Sequence, residues 1–208
     1  MKLTVGQYQQ LYAIAKSEDS FEEKAIQSIS VVTGKTIDAV ENMPINEFNA
    51  LNRKITSSIN ALRLNNKPVS FLKGGSNLYQ VNYKIGTLTA GQNTEIQYFI
   101  KDKDWILNMD KILASIVVPI KKYLWVKLPT KRKTHEEVAE DLQQVDFSEA
   151  YGCVVFFCKI FSGSVIGILP CLEKEMLKNG RTREEVQTFR TGLMKTLDGF
   201  TTPQELLN

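Results

Sequence analysis

Residues 151–172 read YGCVVFFCKIFSGSVIGILPCL, an apolar run whose only charge is Lys159. About 20 apolar residues suffice to cross a bilayer, so this stretch decides between a membrane-anchored chain and one that hides a long apolar helix in protein. A charge near the bilayer centre costs at least about 2.5 kcal/mol, and Lys159, Pro170 and the three glycines Gly152, Gly163 and Gly167 all weigh against a span. A membrane partner is therefore disfavoured. The expectation is a protein-buried helix pair broken around Ser162-Gly163-Ser164. An apolar patch of this size that stays outside the core marks an interface. Its candidate contact residues are Val154, Val155, Phe156, Phe157, Ile160, Phe161, Ile166, Ile168 and Leu169. The chain's three cysteines, Cys153, Cys158 and Cys171, all fall in or beside these residues. Their odd count fits reduced, buried thiols acting as small hydrophobes.

Working outward, Thr134 with Glu137 forms a capping box that starts a helix immediately upstream, one expected to be polar and solvated on most of its surface. Downstream, Gly180 stops the apolar helix, residues 181–197 repeat Val186, Phe189, Leu193 and Met194 at helical spacing, and the tail from Gly199 is expected to fray. At the other end of the chain, Thr4 caps a first helix, Ser20 and Glu23 make a capping box for a second that Gly34 closes, and Thr36 starts a short third. A fourth carries the stripe Phe48, Leu51, Ile55, Ile59 and Leu62. The period then changes to two: Tyr79, Val81, Tyr83 and Ile85 alternate after the Gly74-Gly75 turn, giving the one expected hairpin. Helical spacing returns from Ala90 in two helices broken near Lys103, the second running up to Pro119.

The expected class is mainly α: a small N-terminal helical bundle (1–66), a β-hairpin with helices packed on it (67–120), a basic arm or loop (121–133) and a C-terminal helical region with the long broken apolar helix (134–208). With 208 residues the chain can bury a real core. Its 26 basic and 23 acidic residues give a net charge of +3, too small to imply nucleic acid or membrane by itself. The first fifteen residues lack a secretory pattern, so a cytoplasmic start is expected.

The residues offer little chemistry. The single histidine, His135, sits in the string KRKTHEEV and reads as a solvated helix-start residue. Adjacent acids such as Glu136 and Glu137 point about 100° apart on a helix and cannot share a substrate atom. Cys153 and Cys158 are five residues apart, roughly 140° around a continuous helix, so they do not form a zinc site. No phosphate-binding loop or dinucleotide fingerprint occurs. No enzyme activity and no cofactor are expected. The strongest contact candidate of another kind is the basic arm: Lys121, Lys122, Lys127, Lys131, Arg132 and Lys133 without an acid, and Tyr123 and Trp125 among them. Lysines beside aromatic rings can hold a phosphate backbone and stack a base, or can meet an acidic protein, or can be plain solvated surface.

The order of features also resembles a known group. The segments LTVGQYQQLYAIAKSEDS, SISVVTGKTIDAVENMPINEFNALNRKI, LYQVNYKI, LTAGQNTEIQYFI and ILASIVVPI, spanning residues 3 to about 119, are similar to tail assembly chaperone-like proteins of tailed bacteriophages, especially of crAss-like phages of Bacteroides. The resemblance implies a non-enzymatic virion-associated protein, structural or packaged as cargo, located in the virion and in the host cytoplasm during assembly. It would bind portal, tail or ring components in multiple copies of a symmetric assembly. One alternative is a transient tail assembly chaperone that is not retained. A second is a nucleic-acid-binding accessory protein that uses the basic arm. The resemblance carries over no site residue, and the apolar helix past Phe147 departs from the shortest chaperone-like pattern.

Overall fold

The computed structural model describes residues 2–60, 62, 67–100, 104–123, 126–129 and 133–198, with side chains at all of them except 121–123, 126–129, 165, 168 and 193–198. Four helices open the chain: α1 (Val5–Lys16), α2 (Phe21–Thr33), α3 (Ile37–Glu41) and α4 (Ile45–Asn60). Their starts follow the sequence signals. Thr4 and Gln7 form a capping box, as do Ser20 and Glu23, and the Thr36 hydroxyl accepts from the Ala39 amide. Gly34 ends α2 at φ 71°, a left-handed conformation that costs glycine little. The stripe on α4 turns inward: Ile55 joins Ile29 of α2 and Val40 of α3 in a small core, with Phe48, Leu51 and Ile59 packed against it.

Strands β1 (Phe71–Gly74) and β2 (Asn77–Val81) form the expected hairpin, with Leu72 opposite Tyr79. Gly75 turns it at φ 59°. After a short 3-10 turn come α5 (Ala90–Ile100), another 3-10 turn and α6 (Met109–Ile116). Here two expectations fail. The helix expected to reach Pro119 ends at Ile116, and Val117 opens β3 (Val117–Tyr123), which pairs antiparallel with β2. Of the supposed arm at 121–133, residues 121–123 belong to β3 and pair with β4 (Val126–Pro129), completing a four-stranded antiparallel sheet in the order β1-β2-β3-β4, while 124, 125 and 130–132 lie outside the described residues. Pro119 is tolerated inside β3 for a geometric reason. The Asn82 amide donates to the Ile116 carbonyl at 2.7 Å, so Pro119, three residues on, faces Tyr79 at a position that forms no ladder bond to β2. Its missing N–H points instead toward the β4 side, beyond the last β3–β4 pair at Ile120 and Pro129.

Three more helices complete the fold: α7 (His135–Leu142), α8 (Phe147–Lys178) and α9 (Arg183–Asp198). The Thr134–Glu137 capping box is present, but α7 is less solvated than its sequence suggests, with Val138, Ala139 and Leu142 buried. The N-terminal segment clasps the α7–α8 junction like a strand. The Val5 amide donates to the Val145 carbonyl, Gly6 to Gln143 and Phe147 to Leu3, each at 2.9 Å. The principal core gathers α1, the inner face of the sheet, α5 to α7 and the first half of α8, and Tyr8 stacks on Phe147 with ring centroids 3.6 Å apart.

The apolar helix is one run of 32 residues in α8, but not a straight one. Its arms, Phe147–Ser164 and Leu169–Lys178, meet at 41°. Pro170 lies just past the bend. It cannot donate to the Ile166 carbonyl, and its ring crowds that carbonyl. Among the described residues no single helix is long and apolar enough to cross a membrane; only this bent pair reaches that length and composition.

Candidate functional site

The first place to look for chemistry is His135, which the fold does not leave solvated. Its side chain is 25% exposed, and its ring lies parallel to Phe99 of α5 at 6.3 Å. Nε2 sits 3.1 Å from the Ser115 hydroxyl, 3.1 Å from the Lys111 carbonyl and 3.7 Å from a Glu95 carboxylate oxygen. A serine, a histidine and a carboxylate thus converge, and the arrangement is still wrong for a nucleophile. In the tautomer with the proton on Nε2, that nitrogen donates to the Lys111 carbonyl and has no lone pair left to activate Ser115. The carboxylate approaches the same nitrogen, whereas an orienting acid belongs on the other one. Ser115 is 1% exposed and its hydroxyl is within 3.1 Å of the Lys111 carbonyl and 3.2 Å of Glu95.

Beside this cluster a groove of about 450 Å³ runs between α5, α6 and α7, lined by Phe99, Asp110, Lys111, His135, Glu140 and Gln143 among others. Its buried carboxylate, Asp110, accepts from the Gln9 amide at 2.9 Å and the Gln143 amide at 3.1 Å, knotting α1, α6 and α7 together. Both oxygens are thereby engaged in holding the fold. Among the described residues no group of three His, Cys, Asp or Glu side chains is placed to bind a metal ion.

A second polar knot, at Asp141, anchors the basic segment. Lys133, Tyr79 and Asn77 all donate to Asp141 Oδ2, Asn77 at 3.0 Å. Burial pushes this carboxyl up, and the three donors outweigh it and hold it below the usual carboxylate range. Tyr79, buried and bonded to that carboxylate, is pushed well above an ordinary phenol. Lys133 is therefore a fold-closing residue and not part of an open arm. Of the other residues singled out there, Lys121, Lys122, Tyr123 and Lys127 lie on β3 and β4, with Lys122 opposite Lys127 and Tyr123 opposite Val126. Trp125, Lys131 and Arg132 lie outside the described residues.

The apolar stretch divides at the bend. Val154, Val155, Phe157 and Phe161 are buried in the principal core, and Phe156 and Ile160 are half-buried. These six of the nine candidate contact residues pack inside the protein. Phe156 meets Tyr83 edge-on at 5.1 Å, and Phe157 stacks near Phe161 at 6.0 Å. Past the bend the surroundings change. Leu169 is covered, Ile168 has no described side chain, and Ile166 is 45% exposed. Leu172 at 39%, Leu177 at 46% and Phe189 of α9 at 37% extend the exposed apolar surface, and the sequence reading had missed all three as contact residues. Gly163 and Gly167 leave it open, since a Cβ added at either would meet nothing within 4 Å. Cys153 and Cys158 are buried as expected, while Cys171 is exposed. The signal that could have found this surface is the absence of charge from Ile160 through Leu172, a run that outlasts the part of the helix the core covers.

Among the described residues, α9 is the element that lies along this outer arm. Arg190 meets Glu173 at 3.5 Å, Leu169 and Val186 are buried, and the two helices form an antiparallel hairpin turned at Gly180 with φ 81°. Comparison of the chain with protein-family models, with curated proteins and with solved structures gives no match.

Proposed function

We propose that this chain is a non-enzymatic protein whose work is to bind other proteins, and that the α8–α9 hairpin is the surface it binds with. The observation that carries this reading is the change of environment along α8, buried up to Phe161 and then exposed at Ile166 and Leu172 while the chain stays uncharged through Leu172. A soluble monomer gains nothing from holding such residues in water. The bent pair reaches a span's length only with its first arm, which the core buries, and the uncharged run of 13 residues from Ile160 to Leu172 covers about 20 Å as helix, short of the roughly 30 Å hydrocarbon core. Protein is therefore the better cover than lipid.

The similarity of residues 3 to about 119 to tail assembly chaperone-like phage proteins supplies the setting: a virion-associated component, structural or cargo, at the portal or tail. Mass spectrometry of purified particles tests it. Recovery of the chain at stoichiometric level is expected, and Ile166→Asp with Leu177→Asp should abolish that recovery while the protein still folds. Presence in assembly intermediates but not in finished particles would replace the virion component with a transient chaperone. Particles that carry the variant as fully as the natural chain would refute the hairpin as the binding surface.

A further inference from the structure

Past Phe161 the fold stops bracing α8. The described side chains that follow are half-buried at Ser162 and exposed at Gly163, Ser164, Ile166 and Gly167. A Cβ built at Gly163 or Gly167 would meet nothing within 4 Å, so no other element leans on the helix at either position. Further on, Leu169 and Val186 alone are buried among the described residues, one on each helix of the hairpin. The Arg190–Glu173 and Arg181–Glu185 pairs also stay inside it. The hairpin thus holds itself together, and α8 ties it to the core. That tie is weakest where it bends. Most of a helix's stability in a protein comes from packing of its covered face, and here that face is nearly bare. Pro170 has no N–H for the Ile166 carbonyl. Gly163 and Gly167 lie within the two turns before it, and glycine is the weakest helix former after proline. The two arms stand at 41° across this segment. Among the described residues no buried side chain fixes that angle, and the hydrogen-bond ladder across it is incomplete.

We propose that residues 163–170 form a hinge, about which the α8–α9 hairpin swings as one body while the first arm of α8 stays in the core. The swing takes place within the helix itself, at the positions that oppose regular helix most, and it costs no buried contact of the core. The hinge rests on the fold alone. Its use, which is to offer the contact surface proposed above at more than one angle, rests on that reading. A partner that covers the hairpin then selects one angle from those the free chain visits.

Double electron–electron resonance on the full chain tests this. One spin label goes on Lys178→Cys, at the far end of the outer arm, and the other on Tyr98→Cys of α5; both positions are exposed. Cys171→Ser removes the exposed native thiol, and Cys153 and Cys158 are buried away from the label. A reference pair, Tyr98→Cys with Glu149→Cys, lies entirely on the core side of the bend. The pair across the bend should give a distance distribution roughly twice as broad as the reference pair, or broader. Gly163→Ala, Gly167→Ala and Pro170→Ala together should narrow it to the reference width, because they return an amide to the Ile166 carbonyl, favour helix at all three positions, and have room for the new Cβ atoms at the glycines. A natural chain whose two pairs are equally narrow overturns the hinge, as does a triple variant whose distribution stays as broad as the natural chain's. Neither result touches the contact-surface reading, which recovery of the chain in particles decides.

Discussion

Removing the carboxylate of Asp141 should loosen the join between α7 and the sheet by an amount the structure lets one work out. In Asp141→Ala the Tyr79 hydroxyl, on a fully buried residue, loses its acceptor, and stranding a buried hydroxyl costs about 1–3 kcal/mol. Lys133, with its side chain 29% exposed, loses its ion pair, worth up to about 1 kcal/mol for so accessible a partner. The total of about 1–4 kcal/mol corresponds to a fall in Tm of roughly 2–16 °C for a chain of this size. The effect depends on pH with a definite sign. Because the folded carboxyl lies below its ordinary range, its contribution is fully present above the unfolded value near 4 and is lost as pH falls through the folded one. Thermal unfolding followed by circular dichroism should show a constant gap between natural chain and variant from about pH 5 to 8, narrowing below about pH 4. Adding Tyr79→Phe to the variant should restore part of the loss, since it removes the stranded hydroxyl. A variant no less stable than the natural chain, or a gap that widens in acid, would refute the account of this knot.

Two other perturbations read the same packing. In Gly74→Ala the new Cβ would lie 2.5 Å from the Asp141 carbonyl oxygen and 2.9 Å from its carbon; because these are backbone atoms, β1 and α7 must part, and urea unfolding should show a loss of about 1–3 kcal/mol. Thiol labelling of the native protein should modify one cysteine promptly, Cys171, while Cys153 and Cys158 wait for denaturant, because both are buried and burial pushes Cys153 up and Cys158 up to about 12.

The parts of the fold that were legible in the sequence are those set by local chemistry. The Thr4 cap and the capping boxes at Ser20 and Thr134 need only residues three apart, and all three are present, Thr4 closing a full box with Gln7. The Leu72–Tyr79 hairpin announced itself by alternation and a glycine turn. What failed were elements whose neighbours decide them. The run from Ile116 to Ile120 is apolar without a period, so nothing local separates the end of a helix from a strand buried beside β2, and Pro119 reads as a helix stop when it is a strand residue at a non-bonding position. Lys127 of β4 reads as part of a loop because an edge strand is allowed such a residue. The burial of His135 depends on Phe99 and Ser115, from helices far away in sequence. For the site, the apolar stretch was rightly singled out, but composition could not say where the core stops covering it. Phe157 and Leu172 look alike in the sequence and have opposite surroundings.

That contrast also gives the most direct test of the two-part helix. Phe157→Ala and Leu172→Ala, made separately and melted at low protein concentration, place one truncation in each arm of α8. Loss of a fully buried phenylalanine costs about 3–5 kcal/mol, so Tm should fall by roughly 6–20 °C for Phe157→Ala, while Leu172→Ala should stay within about 2 °C of the natural chain. Equal losses at the two sites would mean that the outer arm is buried in the protein's own fold, and would contradict its role as a contact surface.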